Sequence, residues 1–134
     1  MAQGNAVILL IENDRELSTL LSSALQFEGH AVVPVHCWEE KLPFFQFDAF
    51  DMIITDLAGS SRGCFESIEN IREMAPETPI IAISTRGAMA SGHLTRARAA
   101  KAQVDLHLDH PFTLEVLLDS IDQFLTHGRV GSAA

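Results

Sequence analysis

The sequence is short of basic residues, of cysteine and of long apolar runs, and each shortage removes a class of function. Nine lysines and arginines stand against eighteen aspartates and glutamates, a formal net charge of −9 over 134 residues. No summed positive field would draw in a phosphate backbone, which argues against nucleic acid as a direct partner. Arg86, Arg96, Arg98 and Lys101 gather in one stretch and leave room for a local basic surface. Cys37 and Cys64 sit in no Cys-x-x-Cys and no other metal-ligand spacing, so they read as free thiols of a reducing, cytoplasmic compartment. The first five residues carry no basic region, and the apolar run that follows breaks at Glu12; this is a strand and not a signal peptide. No apolar run approaches the length that crosses a bilayer, so no membrane is expected as a partner.

What is present is one domain's worth of chain, long enough to bury a core without staples. Residues 6–11 are a continuous apolar run that stops at Glu12-Asn13-Asp14. Asp14 suits a helix N-cap, and Leu17, Leu20, Leu21, Ala24 and Leu25 then repeat at helical spacing until Gly29. Residues 31–35 predict a second strand, placed at a sheet edge by Pro34. Residues 38–50 have a helical rhythm interrupted by Pro43, which predicts a late, kinked or short helix rich in phenylalanine. Phe65, Ile68 and Ile71 mark a helix ending before Pro76, and residues 79–84 predict another buried strand. A thin-faced, alanine-rich helix is expected over 88–103, a strand over 104–108, and a last helix carrying Leu114, Leu117, Leu118, Ile121, Phe124 and Leu125. Residues 1–5 and 128–134 read as tails around a domain over 6–127, the second of them with no reason to be ordered.

At the centre lies Asp51-Met52-Ile53-Ile54-Thr55-Asp56, an apolar run bounded by turn signals, the mark of a strand buried on both faces. Five strands alternating with five helices predict a flavodoxin-like, doubly wound α/β domain with parallel strand order 2-1-3-4-5. Ligands in such sheets bind beyond the strand C-termini, at the crevice between strands 1 and 3. Glu12 and Asn13 meet Asp56 there, with Ser84 and His110 at the next two strand ends. No glycine-rich phosphate loop follows the first strand, which sets a dinucleotide site aside. Carboxylates plus an amide oxygen suit a hard cation such as Mg2+. A carboxylate beside such a cation can attack a phosphoryl group, and a hydroxyl and a cationic side chain can hold the group transferred.

Over about residues 7–125 the chain resembles the receiver domain of two-component response regulators. The resemblance rests on Ile8-Leu9-Leu10-Ile11-Glu12-Asn13-Asp14, Asp51 to Leu57, Thr78 to Ser84, and His110-Pro111-Phe112, in order and correctly spaced. It implies that Asp56 accepts a phosphoryl group from a histidine kinase or a phosphotransfer protein. It also implies a Mg2+ site of Glu12, Asn13, Asp56 and the backbone carbonyl of Ala58, with Ser84 and His110 on the phosphoryl group. Ser84, Thr85 and His107 correspond to the family's switch residues, and Pro111 to a proline preceded by a cis peptide. Output would pass through the face of the fourth helix, fifth strand and last helix to a downstream protein effector, with homodimerisation through that face left open. The chain reads as a stand-alone receiver, a self-phosphorylating phosphoacceptor and not a turnover enzyme.

Three departures from the family pattern bear on chemistry. Asn13 stands where the family has a second acid, so Mg2+ binding should be weak. His110 replaces a near-invariant lysine, exchanging a constant charge on a long stem for a short, partly charged ring. Thr85 is bulkier than the small residue usual there. These departures motivate an alternative reading, a phosphorylation-independent pseudo-receiver that acts as a protein-binding module.

Overall fold

The computed structural model describes residues 6–35, 46–56, 62–84, 103–109 and 111–129, with the side chains of residues 62–67 left aside. Five strands, β1 (Val7–Ile11), β2 (Ala31–Val35), β3 (Met52–Asp56), β4 (Ile80–Ser84) and β5 (Leu106–Asp109), form one sheet in the order β2-β1-β3-β4-β5. Every pairing is parallel. Helices α1 (Arg15–Phe27), α2 (Arg62–Met74) and α3 (Leu114–His127) are present among the described residues. The fold is therefore the flavodoxin-like one that the apolar runs predict.

Alternation along the central strands sorts their side chains to two cores. Ile8, Leu10, Met52, Ile54, Ile81 and Ile83 pack with Leu21 and Leu25 of α1 and Leu117, Ile121 and Phe124 of α3. Leu9, Ile11, Ile53 and Ile80 face the other way, onto Phe47 and onto Ile71 and Ala75 at the end of α2. Most of these strand residues are fully buried. Each such side chain contributes about 1.5–3 kcal/mol relative to exposure. Sheet burial on both faces is the dominant reason this chain folds as it does.

Local chemistry fixes the ends of α1. Asp14 Oδ1 accepts from the backbone N–H groups of Glu16 and Leu17 at 3.0 and 3.1 Å, satisfying donors the helix leaves orphaned. At the other end Gly29 adopts a left-handed φ of 100°. Its N–H donates to the Gln26 carbonyl while the His30 N–H donates to that of Leu25, the paired closure that glycine permits. Pro34 lies in β2, which is an edge strand, where a missing donor costs no ladder bond.

Where the sequence predicts a late, kinked or short helix, the described residues 46–50 carry a short 3-10 helix, Phe47–Ala49, and the remainder of the phenylalanine-rich stretch lies outside the described residues. The structure departs from the sequence reading in two places. The last strand starts two residues late, at Leu106. Val104 is apolar and packs against the second core from the turn before it. Arg129, placed by the sequence in an unanchored tail, is tied down: its Nε donates to Asp105 Oδ1 at 2.8 Å and its Nη1 to the Pro76 carbonyl at 2.6 Å. The helix expected over 88–103 lies outside the described residues up to Gln103, which is a turn residue with φ 67°.

Candidate functional site

The sheet reverses its winding between β1 and β3, so the crevice at their C-terminal ends is where a ligand has room. Glu12 follows β1 directly and is held in place through its main chain, the N–H donating to the Val35 carbonyl at 2.9 Å. Asp56 is the last residue of β3. The two are only 1% and 3% exposed, deep burial for two acids. The Asp56 side chain and its charge both act on the Glu12 carboxyl and raise its pKa. Glu12 Oε2 also accepts from the Asp14 N–H at 3.0 Å.

Two carboxylates in contact and away from water cannot both stay charged without a counter-ion. Burial pushes the Glu12 carboxyl up to about 8 from its ordinary 4.5; the Asp14 N–H opposes this, and the nearby Asp56 and Asp14 charges add to it. At neutral pH this shift favours the protonated form of Glu12. A proton is the smallest cation able to bridge such a pair. A divalent ion bound by hard oxygen donors is another, so the donor set fits Mg2+ or Ca2+. Among the described residues no group of three or more His, Cys, Asp or Glu side chains is placed to hold a metal ion. The Asn13 side chain, adjacent in sequence, is exposed.

Ser84 ends β4, next to β3, and is 3% exposed. Its Oγ and His107 Nε2 on β5 share a hydrogen bond at 2.7 Å, with the direction set by the imidazole tautomer. The hydroxyl at the end of β4 is thus directly joined to His107, a residue that the sequence singled out. Pro111 is exposed. Ala58, Thr85 and His110, together with the peptide bond that precedes Pro111, lie outside the described residues.

One feature escaped the sequence reading. At the opposite end of the sheet, Asp105 accepts from Arg72 Nη2, Arg129 Nε and the Ile80 N–H, each at 2.8 Å. Burial lowers the pKa of Arg72, and Asp105 works against that. An aspartate before a strand and an arginine in the last turn of a helix are ordinary turn and cap residues in sequence. No signal ties them together.

An open parallel sheet with a buried acidic pair at its switch point and a hydroxyl at the next strand end defines a flavodoxin-like domain with polar groups gathered at the C-terminal ends of its strands. The chain belongs to the response regulator receiver domain family, whose pattern matches residues 8–122. It is 29% identical over 118 residues to the transcriptional regulatory protein CpxR of Escherichia coli (strain K12), covering 88% of this chain and 48% of CpxR. The chain thus spans about half the length of that relative. The non-phosphorylated HemR receiver domain from Leptospira biflexa superposes with a TM-score of 0.77 at 23% identity, covering 93% of this chain and 98% of that one. A response regulator protein from Burkholderia pseudomallei, solved with a phosphorylated aspartic acid, a calcium ion and citrate, superposes with a TM-score of 0.70. It is 23% identical and covers 90% of this chain and 69% of its own.

Proposed function

We propose that the protein is a receiver switch whose Asp56 accepts a phosphoryl group from a histidine kinase or a phosphotransfer protein and whose altered surface is read by a protein effector. The observation that supports this reading is the buried Glu12–Asp56 pair, a carboxylate that could serve as nucleophile at the switch point next to a second acid that could share a cation with it. Glu12 and Asp56 are the side chains that would hold Mg2+, with Asn13 and the Ala58 carbonyl as further ligands by family position. The ion would supply positive charge to offset that on the phosphoryl oxygens. Glu12 first gives up its proton. One Asp56 carboxylate oxygen then bonds to phosphorus as the bond from phosphorus to the donor breaks, leaving an acyl phosphate and the freed donor. Ser84 and His110 hold the transferred group, and Ser84, Thr85 and His107 report it to the face of the fourth helix, fifth strand and last helix. The phosphorylated aspartate and calcium in the Burkholderia pseudomallei neighbour support this assignment.

A second reading, a protein-binding module independent of phosphate, is favoured by one feature: Asn13 replaces an acid and its side chain is exposed. Intact mass after incubation with acetyl phosphate and Mg2+ separates the two. The switch reading expects one phosphoryl adduct on the wild type and none on Asp56→Asn. An unmodified mass for the folded wild type under every small phosphodonor would overturn it in favour of the module.

A further inference from the structure

β5 is a four-residue edge strand whose residues are mostly half-buried, so packing specifies its register only weakly. Its register is held instead at two points on β4. At the far end Asp105 and Ile80 form a two-bond clasp: the Asp105 N–H donates to the Ile80 carbonyl and the Ile80 N–H to Asp105 Oδ2, both at 2.8 Å. At the site end Ser84 bonds His107. A similar clasp joins Asp51 to Val7 at the start of β3, but that one is exposed.

The Asp105 clasp differs in being buried and braced by two arginines. Its side chain is 3% exposed, with Arg72 and Arg129 each at 2.8 Å. Arg72 also donates to the carbonyls of Gln103, Ala75 and Thr78, fixing the left-handed turn at Gln103 that leads into β5. Arg129 bridges Asp105 to the Pro76 carbonyl and lies just past the end of α3. Removing Arg129 leaves one buried carboxylate oxygen without its charged donor, and water or a rotated Asp105 must take its place. Either change loosens the clasp two residues from His107.

We propose that Arg129, acting through Asp105, is a positioning residue that sets β5 so that His107 meets Ser84. This rests on the reading of Ser84 as a hydroxyl that contacts the phosphoryl group. The contact makes the chain just beyond α3 an input to the switch, because anything that draws Arg129 off Asp105 alters the Ser84–His107 bond from outside the site. By linkage, phosphorylation at the site should also loosen or tighten the hold on Arg129.

The test is the ring 15N spectrum of His107 in the unphosphorylated full chain, in the wild type, Arg129→Ala and the core variant Leu25→Ala. Arg129→Ala should shift or broaden the His107 Nε2 signal, while Leu25→Ala should lower the melting temperature and leave that signal in place. A His107 signal in folded Arg129→Ala superimposable on the wild type would overturn the proposal. So would equal shifts in Leu25→Ala, which would mark general loosening. This readout stands apart from phosphoryl transfer: a protein that takes no phosphoryl group still reports on His107, so the two readings fail separately.

Discussion

The Glu12 carboxyl makes a prediction that can be worked through from the structure. In the folded chain its pKa lies at about 8, against an ordinary 4.5. Between those values the folded state holds a proton that the unfolded chain has released, so stability falls as pH rises through this window and levels off above it. Each unit of separation is about 1.4 kcal/mol, so at pH 7 the protonation of Glu12 costs at most about 3.5 kcal/mol. Proton sharing with Asp56 and relaxation around the pair bring the expected cost to about 1–3 kcal/mol. Glu12→Gln keeps the shape and gives Asp56 a neutral amide donor, which removes the cost. Urea unfolding with chelator present should therefore show the variant more stable than the wild type at pH 7, with the gap shrinking toward pH 5. Titrating groups away from Asp56 and Asp14 act on both proteins alike and cancel in the difference. A difference between the two proteins that stays constant from about pH 5 to 8 would refute the argument that Glu12 is protonated because it is buried against Asp56.

Further expectations follow from the same contacts. Mg2+ at millimolar levels should raise the melting temperature of the wild type at pH 8, as a ligand bound only to the folded state must, and should leave Asp56→Asn unmoved in a thermal scan. Asp14→Ala removes the α1 cap and should cost about 1 kcal/mol by urea titration. Leu25→Ala, at a fully buried position in the core between α1, α3 and the sheet, should cost about 2–5 kcal/mol in the same assay.

The sequence made the sheet legible because burial on both faces writes strands as unbroken apolar runs: residues 6–11, 52–54 and 80–83 leave little else to be. Glu12, Asp56 and Ser84 were legible because each stands at or just beyond the C-terminal end of a strand marked by such a run, and topology alone brings those ends together. The clasp at the other end of the sheet was not. Asp105, Arg72 and Arg129 are far apart in sequence, and each has an everyday local role that satisfies the eye. Only the fold, by burying Asp105 beside Ile80, turns three ordinary charges into one cluster. The late start of β5 has the same origin, since Val104 is apolar for the second core and not for the ladder. The bond between Ser84 and His107 lay between these cases. Both residues stood out in the sequence, but that they touch depends on the pairing of Ala82 with His107, which no sequence pattern reports.

The central claim is that Asp56 is the nucleophile that accepts the phosphoryl group, and the most direct measurement is chemical. After exposure to acetyl phosphate and Mg2+, borohydride reduction converts an acyl phosphate to the alcohol, and peptide mapping locates it. The account predicts a single reduced position, Asp56, lost in Asp56→Asn and diminished in Glu12→Gln. Reduction at another carboxylate, or at none while the chain remains folded, would contradict it.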